Sequence, residues 1–344
     1  MALPAHTPTT WDDILSTTMH NTRKQLTDNI FSGRPLLDHF MSNGRVRTVN
    51  GGISIVEPLI ISEGDFKSYA EWDTIVVTPV NTATAAQFPW KQMVATIAIS
   101  GLEEAQNNGT EMRINLLEAK VMQAEETMKA KLNQMLFGTR PNPQPATDFE
   151  PLTTLIDDTL PAGGITPTTG GDADYWKSVV GGGAITDAAS FEAMLGAAFL
   201  EASDAGGDKV DAIFTTPEIF SYFESTLTPQ VRYSDVTKAN LGFTNLLYKS
   251  CPIFWDNDCP DGVVLGINSK YVGLTLHSER NFKQSPFTAN LTGSTAAAGA
   301  GPGGPGIATA TALDARVSFI TTYGNTTIRN RRRNFKLEGV TLPV

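Results

Sequence analysis

Four arginines fall within five positions near the end of the chain. They are Arg329, Arg331, Arg332 and Arg333, in GNTTIRNRRRNF at residues 324–335. The 344 residues carry a formal net charge of -10, with 36 acidic against 26 basic side chains, so this cluster runs against the overall balance. Guanidinium groups are planar and permanently charged, and they bind phosphate or carboxylate through paired donors, so a run of them needs an anionic partner. The flanking segments VSFITTYGNTTI and FKLEGVTLPV read as two strands. Val317, Phe319 and Thr321 lie on one face of the first, and Ser318, Ile320 and Thr322 on the other. The arginines are therefore expected in a folded sheet rather than a basic tail. If residues 328–333 are extended, Arg329, Arg331 and Arg333 project to one side and Ile328, Asn330 and Arg332 to the other. Their partner is then either phosphate or carboxylate on a neighbouring copy, with the neighbour preferred.

Little else in the sequence is spaced for chemistry. Cys251 and Cys259, in CPIFWDNDCP, match neither a redox pair nor a zinc set and are expected as free thiols. His6, His20, His39 and His277 are scattered. The glycine pattern at Gly299–Gly304 satisfies GxGxxG by letter, but no strand enters it and no helix leaves it, so no dinucleotide site is expected. Asp256, Asp258 and Asp261 sit with Pro260 and Gly262 in what reads as a plain turn, lacking the ligand count of a calcium loop. The expectation is no catalytic set, no cofactor, no metal and no enzyme activity. An acidic chain is also not one whose whole surface embraces nucleic acid.

The elements around these residues are legible from periodicity. At 41% hydrophobic and 18% charged the composition is that of a globular protein. No apolar run reaches the length of a membrane span, and the N-terminus lacks a signal-peptide pattern, which places the protein inside a cell. WDDILSTTMHNTRKQLTDNIF suggests short amphipathic helices. ISIVEPLII and DTIVVTPV, separated by SEGDFKSYAEW, predict a long hairpin with Phe66, Lys67, Tyr69 and Trp72 at its tip, suited to another subunit. A capping box at Ser100 to Glu103 starts a helix at Gly101. A longer helix from Thr110 to Phe137 carries the stripe Leu117, Val121, Ala124, Met128, Leu132 and Met135. Residues 139–186 read as loop. Residues 187–203 form a helix through Phe191, Leu195, Phe199 and Ala202, KVDAIFTT a strand, and Thr216-Pro217 the start of another helix. CPIFW, GVVLGI and YVGLTL complete an α+β region. The Gly/Ala/Pro stretch from Thr292 to Thr311 is of low complexity and expected to be mobile.

Taken together, the hairpin, the long helix, VDAIFTTPEIFSYFESTLTPQVRY, NLGFTNLLYKSCPIFWDNDCP, the INSKY strand and GNTTIRNRRRNF resemble the major capsid proteins of tailed bacteriophages, which share the Hong Kong 97 fold. The resemblance spans about residues 50–340. It implies an N-terminal arm (1–50), an extended loop (51–99), the spine helix of a peripheral domain (100–149), an axial domain with a Gly/Ala/Pro-rich insertion (150–311), and strands returning to the peripheral domain (312–344). It also implies self-assembly into hexamers and pentamers of an icosahedral head around double-stranded DNA, in the host cytoplasm and then in the virion. Portal and scaffolding or decoration proteins would be partners, with packaged DNA held nonspecifically and no membrane. Phe66, Lys67, Tyr69, Trp72, Arg329, Arg331, Arg332 and Arg333 would be intersubunit contacts. The alternative is a nucleic-acid-binding protein using the 329–333 arginines. Lys67 is the only lysine placed for the loop-to-neighbour crosslink some relatives form, and spacing identifies no asparagine or glutamate to complete it.

Overall fold

The computed structural model describes residues 33–75, 77, 79–106, 116–168, 173–203, 207–226, 246–289, 292–295, 309–312 and 315–343. Helix α1 (Pro35–Ser42) leads to strand β1 (Val46–Val49), the paired β2 (Ser54–Ile60) and β3 (Ala83–Pro89), and β4 (Lys91–Ser100). Helix α2 (Gly101–Gln106), the 22-residue α3 (Leu116–Phe137) and the single turn α4 (Leu152–Leu155) follow. Next come β5 (Val179–Ala184), α5 (Ala188–Ala202), β6 (Ala212–Thr215), α6 (Pro217–Thr226), β7 (Leu246–Tyr248), β8 (Cys251–Trp255) and β9 (Val264–Ile267). The chain closes with β10 (Val272–His277), β11 (Lys283–Gln284), β12 (Thr288–Ala289), β13 (Thr292–Thr295), β14 (Thr309–Ala312), β15 (Ala315–Ile328) and β16 (Phe335–Thr341).

Strand β15 organises the first sheet. It runs antiparallel to β4 from Ala315 opposite Ser100 to Gly324 opposite Lys91, and its other edge pairs with β10, β11 and β12. The parallel partner of β10 is β1. The period-2 expectation for β15 holds: Ser318, Ile320 and Thr322 are buried while their neighbours are half-buried. Helix α3 lies against β4, with Met93 and Ile97 in one cluster with Ala124, Met128 and Leu132. Gly138, at φ +80°, ends α3 in the left-handed conformation that favours glycine. Of the predicted stripe, Leu117 is an exception: it is 46% exposed, whereas Leu132 is fully buried. The described part of α3 packs against the core from Val121 onward.

The second sheet has the order β5-β16-β9-β6-β8-β7. Every residue of β6 is buried because both faces are covered. Ile213, Ile253 and Val264 face Phe191, Leu195 and Phe199 of α5 and Phe220 and Phe223 of α6. Their neighbours Phe214, Phe254 and Leu265 turn the other way, into the cluster that holds Leu36, Leu37 and Phe40 of α1. The α5 start is as expected, since Asp187 accepts from the Ser190 N–H at 2.7 Å in a capping box. So is the start of α2, where the Glu103 N–H donates to Ser100 Oγ and the Ser100 N–H to the Glu103 carboxylate.

Four expectations change. DTIVVTPV is not a strand in the described residues: β2 pairs instead with ATAAQFP, and the described residues between 61 and 82 lie in neither helix nor strand. VVGGGA is a strand rather than an open loop. Its glycines let β5 approach β16 so closely that a Cβ on Gly182, at φ +139°, would lie 1.8 Å from the Glu338 carbonyl oxygen. The expected division at 311/312 cuts across both sheets, because β10 pairs with β15 while β16 pairs with β5 and β9. Finally, the ends of the Gly/Ala/Pro stretch pair as β13 and β14. The N-terminal helices expected within residues 11–31, the start of the long helix at 110–115, and residues 296–308 lie outside the described residues.

Candidate functional site

The chain crosses between the two sheets at 268–271, from β9 to β10, and at 329–334, from β15 to β16. The two crossings brace each other. The Arg329 N–H donates to the Tyr271 carbonyl oxygen at 2.9 Å, and the Asn268 N–H to Asn334 Oδ1 at 2.8 Å. The second crossing contains the arginines. Residues Arg331–Arg333 form a 3-10 turn, not an extended strand, so the expected one-sided display does not form.

Arg331 is fully buried. Its Nε donates to the Leu155 carbonyl oxygen at 2.7 Å, Nη1 to Leu160 at 2.9 Å and Nη2 to Thr154 at 3.2 Å. The guanidinium carbon lies 5.9 Å from the Trp176 ring centroid. Burial pushes its pKa down to about 10, against the pull of Asp157 and Asp158, so the group stays charged at neutral pH. A guanidinium in this position satisfies the carbonyls at the C-terminal end of α4, which a short helix leaves without partners. Arg331 cannot be an intersubunit contact, because nothing of it reaches the surface.

Lys336, two residues into β16's buried run, reinforces the same staple. Its Nζ meets the Asp157 carboxylate in a short ion pair and also donates toward Thr153 O, while Glu338 lies at 2.9 Å. Burial works to raise the Asp157 pKa, but Lys336 and the N–H groups of Leu160 and Thr159 outweigh it and hold the carboxyl down at about 2. Arg329 is half-exposed and pairs within the chain as well, 3.1 Å from Glu57, which also takes Arg47 at 2.8 Å. Glu57 is buried, so two guanidinium groups hold the root of the β2–β3 hairpin to β1 and β15. Arg332 is exposed and Arg333 half-buried, and both line a cleft of about 750 Å³ with Lys270, Glu201 and Glu63. Glu57, Asp157, Lys336 and Trp176 were not picked out by the sequence reasoning. The one signal was Glu57, a lone charge in the apolar run ISIVEPLII.

The loop behaves differently. Phe66 and Trp72 are each 91% exposed and Tyr69 67%, and none joins a core cluster. Lys67 pairs with Asp65 at 3.0 Å. This is a surface with apolar and charged groups whose rings join no core cluster among the described residues.

The acidic turn after β8 is used structurally. Asn133 of α3 donates to both Asp256 oxygens at 3.2 Å and to Asp258 at 2.7 Å, and the Asp258 N–H donates to Asp256 at 2.9 Å. Burial raises the Asp256 carboxyl to about 6. Among the described residues no group of three or more His, Cys, Asp or Glu is arranged to hold a metal. Cys251 and Cys259 are both buried and in no disulfide, and burial pushes the Cys259 thiol far up, so its reactive thiolate is disfavoured. No described helix is long and apolar enough to cross a membrane.

No protein-family model matches the sequence, and no curated protein sequence matches it. Solved structures match by fold. The capsid asymmetric unit of cyanophage A-1(L) aligns with a TM-score of 0.63 at 15% identity, over 94% of this chain and 97% of that one. The capsid of Myoviridae phage XM1 aligns at 0.57 and 9% identity, over 93% and 96%. The holo-SrpI encapsulin complex from Synechococcus elongatus PCC 7942 aligns at 0.53 and 9% identity, over 92% of each chain. The chain thus has the α+β fold of tailed-phage capsid proteins, the Hong Kong 97-like fold that its sequence resembles.

Proposed function

We propose that the chain is a shell subunit: a major capsid protein that self-assembles, as hexamers and pentamers, into the icosahedral head enclosing the double-stranded DNA of a tailed phage. The observation that carries this reading is the fold likeness to capsid subunits over more than nine tenths of both chains, at TM-scores up to 0.63. The exposed aromatic loop agrees with it, because Phe66, Tyr69 and Trp72, with Lys67 beside them, form a surface suited to a neighbouring copy. Of the arginine cluster, Arg332 is the one that the fold leaves exposed for such a contact, with Arg329 tied to Glu57. The role is structural rather than catalytic. Its setting is the virion, after assembly in the host cytoplasm, with portal and scaffolding or decoration proteins as partners and DNA held through nonspecific phosphate contacts.

The alternative, a nucleic-acid-binding protein acting through residues 329–333, loses most of its footing. Arg331 is consumed by backbone carbonyls and Arg329 is paired with a carboxylate, so two of the four arginines are already engaged within the chain. Electron microscopy of the purified protein without nucleic acid separates the two. Closed polyhedral particles are the expected result. A small species whose nucleic-acid affinity falls steeply with salt would overturn it. Since an encapsulin shares the fold, the contents are tested separately: particles from producing cells should protect double-stranded DNA from nuclease.

A further inference from the structure

Two asparagine-glycine pairs sit in turns that the shell reading does not use: Asn43–Gly44 after α1 and Asn50–Gly51 after β1. A third, Asn108–Gly109, lies outside the described residues. The pairing has a chemistry of its own. A backbone nitrogen can attack the side-chain carbonyl carbon of the asparagine before it, and glycine, having no Cβ, leaves that approach open. The N–Cγ bond forms as the Cγ–Nδ2 bond breaks, and ammonia leaves with the proton given up by the backbone N–H. Water then opens the cyclic imide at either carbonyl, leaving aspartate or the isomer whose main chain runs through Cβ and Cγ. No oxidant, reductant or enzyme enters the balance.

In several respects the two described pairs are alike. Both asparagines are exposed, both glycines have positive φ (+63° at Gly44, +143° at Gly51), and a Cβ on either would meet nothing within 4 Å. They differ in what holds the reacting groups. Asn43 Nδ2 donates to the His39 ring, 3.1 Å from Nδ1, and the Gly44 N–H donates to the Met41 carbonyl oxygen at 3.3 Å. The Asn43 N–H to His39 O at 3.1 Å and the Arg45 N–H to Phe40 O at 3.0 Å close the same turn on both sides. His39 is itself buried and fixed, with Nε2 2.7 Å from Ser269 Oγ. At the second pair, neither the Asn50 side chain nor the Gly51 N–H has a hydrogen-bond partner among the described residues. Groups held by partners react only when those contacts open, whereas an unheld pair reaches the attacking geometry without that cost.

We propose that Asn50 is a site of spontaneous deamidation and that the fold spares Asn43. The event is one-way. It adds a negative charge, and in the isomer one main-chain carbon, to the link at 50–53 that joins β1 to β2. Arg47 of β1 holds Glu57 of β2 at 2.8 Å, so the change falls between the two strands that this ion pair ties together.

The full chain is incubated folded in oxygen-labelled water at mildly alkaline pH, where the attacking nitrogen is more often deprotonated, then digested and read by mass spectrometry asparagine by asparagine. Label and both product isomers are expected at Asn50, at a rate about tenfold or more above that at Asn43. In urea-unfolded chain the two rates should approach each other, because the contacts that hold Asn43 are gone. Equal rates in the folded chain, no label at Asn50, or a ratio that unfolding leaves unchanged would each overturn the proposal. His39→Phe keeps a ring against Phe214 and Phe254 but removes the acceptor for Asn43. It should speed Asn43 severalfold and leave Asn50 as it was; a folded His39→Phe chain with Asn43 as slow as in wild type contradicts the assigned protection. If that variant fails to fold, the folded-against-unfolded comparison of wild type decides alone.

Discussion

The turn at 329–334 and the loop at 61–82 are both crowded with side chains suited to recognition, and the chain uses them in opposite ways. At the turn, Arg331 spends its donors on three backbone carbonyls and Arg329 on Glu57, all within one copy. In the loop, Phe66 and Trp72 stay 91% exposed. A guanidinium needs acceptors, and the ends of a short helix provide them locally, so charge density alone does not point outward. Large aromatic rings gain most by leaving water, and no core cluster among the described residues takes these in. The turn therefore serves the stability of the chain, and the loop is the surface that the shell reading assigns to a neighbouring copy.

The sharpest way to break that contrast is Arg331→Met. It leaves three carbonyls without donors in a dry site, and the expected loss is about 3–5 kcal/mol, read by urea unfolding. Arg331→Lys should restore only part, since one ammonium cannot reach all three acceptors. Wild-type stability in Arg331→Met would mean that the turn is not a staple. Asp157 sharpens the same side through pH. Its folded pKa lies below the ordinary carboxyl value, so its stabilisation is fully present above the unfolded pKa and fades as pH falls from about 4 to about 2. The stability difference between wild type and Asp157→Asn should shrink over that window, and a constant difference would contradict the assignment.

Asp256 has the opposite sign. Burial raises its pKa, so ionising it costs the fold stability as pH climbs from about 4 to about 6. Asp256→Asn removes that cost, beside an Asn133 Oδ1 that is buried without a hydrogen-bond partner among the described residues. A gain of about 1–3 kcal/mol near neutral pH is expected, vanishing in acid. A destabilised variant at neutral pH would show that Asp256 is ionised and needed. The smallest effect is on α3: Leu117→Asp, at an exposed site, should change stability by no more than about 0.5 kcal/mol, whereas Leu132→Asp should cost several. Equal losses would place Leu117 in the core.

Helix starts and most strands were legible because their signals are local. The capping box at Ser100, the Phe191 to Ala202 stripe, and the alternation of β15 all depend on neighbours in sequence. Errors arose where a distant partner decides. The DTIVVTPV run has strand propensity, but ladder partners are chosen in three dimensions, and β2 took ATAAQFP. VVGGGA looked too glycine-rich for a strand until β16 required the close approach at Gly182. Leu117 shares the period of Leu132 but is 46% exposed, since no described element buries that end of α3. The arginine turn was found by composition and misassigned in conformation, because no sequence pattern announces that the C-terminal carbonyls of α4 will arrive beside Arg331.

Replacing residues 64–72 with a short Gly-Ser turn tests the central claim most directly, because it removes Phe66, Lys67, Tyr69 and Trp72 while leaving the arginine staple intact. The variant and wild type are compared by urea unfolding and by electron microscopy under conditions where wild type closes into shells. The account predicts an unchanged unfolding midpoint with no closed shells from the variant. Shells of wild-type size and stability from that chain would contradict it.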